Sequence, residues 1–236
     1  MDFKVLEWDS KVFEIPTALI TRKIHSKEQL GSLVSGLESA GIRLAYYFSP
    51  VELGNFIDGF GGSLVDRKTT FYQSSEDFYT RQTSDPNTAA PYDQDTATDD
   101  MISLAVQSGV SSRFALDPFF PREKFEHLYT VWINRSVRKE IADEVLVSRQ
   151  DGKITGFVTL VSNNGIGEIG LIAVDAAYRH KRYGQLLVQS ALYWCDRKGL
   201  KGCRIVTQGD NIPACRLYSK CGFEIQKIEF VYHFWT

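Results

Sequence analysis

Three cationic side chains and a histidine stand in a row at Arg179-His180-Lys181-Arg182, followed by Tyr183-Gly184-Gln185. Upstream, residues 166–174 alternate as a strand, with Ile169, Leu171 and Ala173 on one face and Glu168, Gly170, Ile172 and Val174 on the other. Downstream, Leu187, Val188, Ala191, Leu192 and Cys195 fall at helical spacing. The basic turn therefore joins a strand end to a helix start. Backbone N–H groups there lack intrahelical partners and the helix dipole is positive, so a pyrophosphate can be held. Gly184 allows close backbone approach to such an anion. The same turn would also serve as the plain start of a surface helix.

Other reactive side chains are scattered. Asn211 can cap a helix with Pro213 in its first turn. Ala214, Leu217, Tyr218 and Cys221 share one face of that helix, so Tyr218 reads first as a core tyrosine. Glu168 is a carboxylate near the open end of a strand. His233 stands among aromatics, where a lone histidine is usually structural. Arg113 and Phe114 sit in an aromatic-rich loop that could hold a diphosphate and stack a base or sugar, or could pack with the arginine paired to Asp117.

The elements that must position these residues follow from punctuation. Residues 1–24 read as two extended pieces broken at Pro16, and Leu30, Leu33, Val34 and Leu37 mark a helix closed by Gly41. A strand at 43–48, a short helix at 51–60 and an extended run at 64–73 come next. Residues 74–100 are polar and acidic with two prolines and make the best linker. Asp99 and Asp100 can cap a helix over 101–108, and Phe125, Leu128, Tyr129, Trp132, Ile133 and Val137 form the apolar face of another. Strands at 145–149 and 154–161 meet at an Asp-Gly turn, Asn164-Gly165 delivers the strand 166–174, and 203–207 is a further strand. Residues 223–235 read as a terminal pair of strands. This order gives an α+β fold around a mixed sheet, with domains at 1–80 and 90–236.

Composition sets limits. At 236 residues, 43% hydrophobic and 24% charged, with a net charge of −2, the chain reads as globular, with no basic field to recruit nucleic acid. No apolar run approaches a membrane span of about 20 residues, and the N-terminal stretch lacks the apolar core of a secretory signal. Cys195, Cys203, Cys215 and Cys221 have no C-x-x-C spacing, so buried reduced thiols and a cytoplasmic location are expected, with no metal. Neither GxxxxGK[ST] nor HExxH occurs.

The string from Ile166 to Gln189 resembles the acetyl-CoA motif of the GNAT acetyltransferase superfamily, Arg/Gln-x-x-Gly-x-Gly/Ala, with Arg179 and Gly184 in register and Arg182 where the first glycine is usual. Asn211, Ala214, Leu217, Tyr218, Gly222 and Phe223 resemble that family's second signature. The resemblance implies the GNAT fold and acetyl-CoA bound by Ile172, Ala173, Val174, residues 179–185 and Asn211. It further implies an oxyanion donor at the Val174 N–H, Tyr218 as general acid and Glu168 as base, with Arg113 and Phe114 in the acceptor wall. Across most of the chain, pieces such as LEWDSKVFEIPTALI, SRF, WIN, RIVTQGDN and RLYSKCGF resemble a narrower group, the dTDP-fucosamine (dTDP-4-amino-4,6-dideoxy-sugar) N-acetyltransferases. That implies a nucleotide-sugar acceptor for surface-polysaccharide (lipopolysaccharide) synthesis and leaves a homodimer open. The alternatives are a GNAT enzyme for a protein N-terminus, polyamine or antibiotic, and a non-catalytic acyl-CoA-binding protein. A weak internal echo between GIRLAYYF and GLKGCRIV suggests a degenerate GNAT-like N-terminal domain.

Overall fold

The computed structural model describes residues 2–78 and 89–236; residues 79–88 of the expected linker lie outside them. The chain divides into two compact units that do not follow chain order. The first comprises 1–68, 112–128 and 228–236, the second 69–111 and 129–227. The linear division at 80/90 is thus not how the chain divides by compactness.

In the first unit, β1 (Phe3–Val5), β2 (Thr17–Ile20), β3 (Leu44–Ser49) and β10 (Glu224–Trp235, of which 228–235 belong here) lie in that order, with residues 62–68 of β4 (Gly62–Ser74) beyond β10. β1–β2 and β3–β10 are antiparallel and β2–β3 parallel. The parallel crossover is made by α2 (Lys27–Ser39). Ser26 caps α2 by accepting from the Gln29 N–H, and Gln29 accepts in return from the His25 N–H. Leu30, Leu33 and Leu37 of α2 join Ala18, Ala45, Tyr232 and Phe234 in a core.

Three expectations fail here. Residues before Pro16 include a helix, α1 (Glu7–Phe13), which ends at a left-handed Glu14 as the proline approaches. Residues 51–60 form only a 3-10 turn, Gly54–Ile57, because Gly54, Gly59 and Gly61 take positive φ. The terminal pair of strands is one strand, β10, which holds no Gly, Pro, Asn or Asp that could turn it.

The second unit orders β9 (Gly202–Gln208), β8 (Ile166–Val174), β7 (Lys153–Asn163), β6 (Glu144–Gln150) and β5 (Ala90–Pro91), with residues 69–74 of β4 beside β9. β5 through β8 pair antiparallel and β8–β9 parallel, so the sheet is mixed. Both hairpins turn as expected, on Asp151-Gly152 and Asn164-Gly165, all four at positive φ. Helices α3 (Asp99–Ser108) and α6 (Tyr183–Arg197) contact β7 and β8. α3 starts two residues earlier than expected, capped by Thr98 rather than the aspartates. Inside the loop before α5 (Arg122–Val137) lies a one-turn helix, α4 (Arg113–Leu116). α7 (Ile212–Lys220) is capped by Asn211 and followed by Gly222 at φ 98°.

Candidate active site

The β8–β9 ladder is short. Its rungs are Gly167–Cys203, Glu168–Arg204 and Ile169–Ile205, yet β8 runs on to Val174 and β9 to Gln208. A bulge interrupts β7–β8 between Val158 and Leu160, where the Thr159 hydroxyl accepts from the Leu171 N–H at 2.8 Å. After the bulge, Asp175 donates to the Thr155 carbonyl of β7 at 2.8 Å. Strand alternation then turns the Ile172 and Val174 amides toward the opposite edge, past the last β9 rung. The result is a row of backbone groups beside a ladder that has ended.

That edge leads into the N-terminus of α6, which has no side-chain cap. Arg179, His180, Lys181 and Arg182 are all exposed around it. Arg179 Nε donates to the Val174 carbonyl at 3.2 Å, so one cation is tied to the strand end. Arg182 explains its own departure from the motif: its φ is 69°, the left-handed region glycine favours, and His180 is left-handed too, at φ 61°. Uncapped N–H groups, a positive dipole and four cationic or titratable side chains make this turn fit to hold a pyrophosphate.

Gly184 has a packing part in addition to the one expected. A Cβ there would meet Leu217 Cδ2 of α7 at 3.0 Å and Val174 Cγ2 at 4.0 Å, so the missing side chain faces the protein. The glycine lets α6, α7 and the end of β8 converge. One residue from Leu217, Tyr218 is 4% exposed and packs edge-on against Phe71 at 5.7 Å and tilted to Phe223 at 6.3 Å. Burial raises its pKa, and its hydroxyl has no hydrogen-bond partner among the described residues. Asn211 uses its side-chain oxygen to cap the Ala214 N–H, at 3.4 Å.

Glu168 is not gathered with Val174. It forms an ion pair with Arg204 and accepts from Asn163 Nδ2 at 3.2 Å. Six residues of strand separate it from Val174, about 20 Å at ~3.3 Å each. A proton released at the end of β8 would have to reach it along several waters.

Arg113, Phe114 and His233 belong to the first unit. His233 is fully buried. Its Nδ1 lies 2.5 Å from Asp117 Oδ2, and Arg113 donates to its Nε2 at 3.0 Å. Because arginine can only donate, Nε2 carries the lone pair and Nδ1 the proton. Burial first, and the Arg113 charge with it, push the His233 pKa down to about 4 against the pull of Asp117. Burial alone would raise Asp117; hydrogen bonds from His233, the Phe119 N–H and Trp235 Nε1 outweigh it and hold the carboxyl below its usual range. The arginine thus reaches Asp117 through an imidazole rather than pairing with it directly. Its guanidinium lies over the Tyr46 ring at 3.8 Å and the Phe114 ring at 4.3 Å. The aromatic loop was legible in the sequence; Tyr46 and the imidazole bridge were not, since no local pattern links positions 46, 113, 117 and 233.

The four cysteines are free thiols, three of them buried. Among the described residues no group of three or more His, Cys, Asp or Glu could hold a metal, and no helix is long and apolar enough to cross a membrane.

Residues 112–223 match the model of the acetyltransferase (GNAT) family. The uncharacterized N-acetyltransferase YvbK of Bacillus subtilis is 30% identical over 114 residues, 45% of this chain and 74% of that protein. The chain belongs to the GNAT acetyltransferase family. A streptothricin acetyltransferase of Escherichia coli is 37% identical over 80 residues, 34% of this chain and 46% of that protein. A dTDP-fucosamine acetyltransferase of Escherichia coli O6:H1 is 29% identical over 139 residues, 58% of this chain and 59% of that protein. The chain thus spans about half the length of these last two relatives.

Proposed function

We propose that the chain is an acetyl-CoA-dependent N-acetyltransferase acting on the amino group of a nucleotide-linked 4-amino-4,6-dideoxy sugar. The observation that carries the first half is the open edge of β8 running into the uncapped, cationic N-terminus of α6. Acetyl-CoA supplies an activated acetyl thioester and an anionic tail, and both halves of that ligand match the edge and the turn. In this reading the Ile172–Val174 backbone holds the amide-bearing arm, and residues 179–185 hold the pyrophosphate. The Val174 N–H polarises the acetyl carbonyl, a contribution of about 3 kcal/mol for one well-placed donor. Tyr218, kept protonated by burial, hands its proton to the departing thiolate. Glu168, held by Arg204, takes the amine proton through water.

Similarity to a dTDP-fucosamine acetyltransferase supports the sugar acceptor and a place in surface-polysaccharide synthesis. Arg113 and Phe114 are assigned to acceptor binding, and residues 1–80 are read as a degenerate GNAT-like domain that binds no acetyl-CoA. Similarity to a streptothricin acetyltransferase favours a second reading, an antibiotic amine as acceptor. Thiol release from acetyl-CoA, measured against a panel of dTDP-linked amino sugars, streptothricin, polyamines and peptides, separates them. Turnover with the 4-amino sugars is expected; turnover with streptothricin and none with the sugars would replace the first reading by the second.

A further inference from the structure

We infer that Thr159 is a positioning residue for the acetyl thioester, its hydroxyl holding the open edge of β8 in the path that presents the Val174 N–H. The inference deepens the proposed function and rests on its reading of that N–H as the donor to the acetyl carbonyl.

A bulge takes an ordinary ladder partner away from one residue of a strand. Val158 pairs with Ile172 and Leu160 with Ile169, so Gly170 and Leu171 together oppose Thr159. The Leu171 N–H is met there by a side chain, the Thr159 hydroxyl at 2.8 Å. Thr159 is 3% exposed and β-branched, so its oxygen has little water around it and few rotamers to leave by. Gly170 makes the room. A Cβ at that position would stand 2.8 Å from the Thr159 hydroxyl oxygen, too close for both to stay. Gly170 is not one of the positive-φ glycines, so space rather than backbone freedom accounts for it. The glycine that opens the bulge and the threonine that fills it work as one device.

The hydroxyl lies at one end of the segment that faces the thioester. Leu171 is tied to β7 through Thr159, and Asp175 is tied to the Thr155 carbonyl of β7, also at 2.8 Å. Between these points, alternation sends the Ile172 and Val174 N–H groups away from β7. The β8–β9 ladder has ended by then, at the Ile169–Ile205 rung. A stretch open on one edge takes its course from the other, and Thr159 sets where that course begins. Aim matters here, because a misplacement of about 1 Å can cost a reaction roughly a hundredfold.

The test is infrared spectroscopy of acetyl-CoA carrying a heavy-carbon label at its carbonyl, bound to the full chain, with calorimetry for its affinity. A hydrogen bond from the Val174 N–H weakens the C=O bond, so the bound thioester should absorb at lower frequency than the free one. Thr159→Val keeps the shape and removes the acceptor; Gly170→Ala keeps the acceptor and displaces it. Both should lose most of the shift while Kd rises less than about tenfold, since the basic turn is untouched. Thr159→Ser restores the hydroxyl and should keep the shift. If Thr159→Val fails to fold, Gly170→Ala decides, because Gly170 is exposed. A full shift in either folded variant would overturn the inference and leave the Val174 donor standing. So would a Thr159→Ser that loses as much as Thr159→Val. A parent that binds acetyl-CoA with no shift would refute the Val174 donor, and the role of Thr159 with it.

Discussion

Replacing Arg182 by glycine should make the protein more stable and its cofactor site weaker. Arg182 holds φ 69° at the start of α6, and its side chain is exposed, so no packing is lost with it. The left-handed conformation costs a residue with a Cβ roughly 1–2 kcal/mol. Glycine removes that strain but adds about 0.4–1 kcal/mol of unfolded-state entropy. The net gain is about 0.5–1 kcal/mol, and a chain of this size shifts its Tm by roughly 2–4 °C per kcal/mol. Calorimetry should therefore show a rise of about 1–4 °C. Removing one exposed cation from the pyrophosphate turn should weaken CoA only about two- to five-fold. Arg182→Ala separates the two effects: it loses the same charge, keeps the strain and gains no Tm. A fall in Tm for Arg182→Gly, or an equal rise for Arg182→Ala, would refute the strain argument.

Tyr218→Phe breaks no protein hydrogen bond and keeps the contacts to Phe71 and Phe223, so stability should hold while turnover falls about 10²–10⁴-fold; undiminished turnover would make Tyr218 a core residue only. Gly184→Val should drive Leu217 out of place and cost about 1–3 kcal/mol, read by denaturant unfolding, together with a raised KM for acetyl-CoA. Gly184→Ala needs only a small shift of the Leu217 tip and should be tolerated. Stability should also fall with acid. His233 titrates near 4 in the folded chain against 6.5 ordinarily, so below pH 6.5 the unfolded chain binds a proton the folded one does not. The stabilisation is whole above pH 6.5 and drains away as pH falls to about 4, some ~3 kcal/mol in all. Urea unfolding across pH 7 to 4 should lose this dependence in His233→Phe.

Elements with local signatures were readable in advance. The Asp151-Gly152 and Asn164-Gly165 turns, the capped α7 and the alternation of β8 each carry their cause within a few residues. The basic turn before α6 was readable for the same reason, and even Arg182 could be flagged as a departure from the motif. What escaped was set by distant partners. Nothing near Gly184 announces that its empty side faces Leu217, thirty-three residues on. Glu168 was placed on its strand, but its partner Arg204 comes from β9. The interleaving of units could not be seen either, because Ser112–Leu128 and Ile228–Thr236 look locally like parts of the elements that flank them.

That interleaving bears on how the protein is made. The first unit needs three separate stretches of chain, and the last begins at Ile228, a hundred residues after Leu128. Val231, Tyr232, His233 and Phe234 in that stretch are all at most 1% exposed. At about 5–20 residues per second, a ribosome takes roughly 5–20 s to deliver it after the second stretch emerges. Throughout that interval the Leu30–Leu37 face of α2 and the imidazole's place beside Asp117 stand unfilled. Vectorial synthesis thus favours early folding of the second unit's contiguous 129–227 segment. The first unit, with its high contact order, closes last and is the natural client of a chaperone.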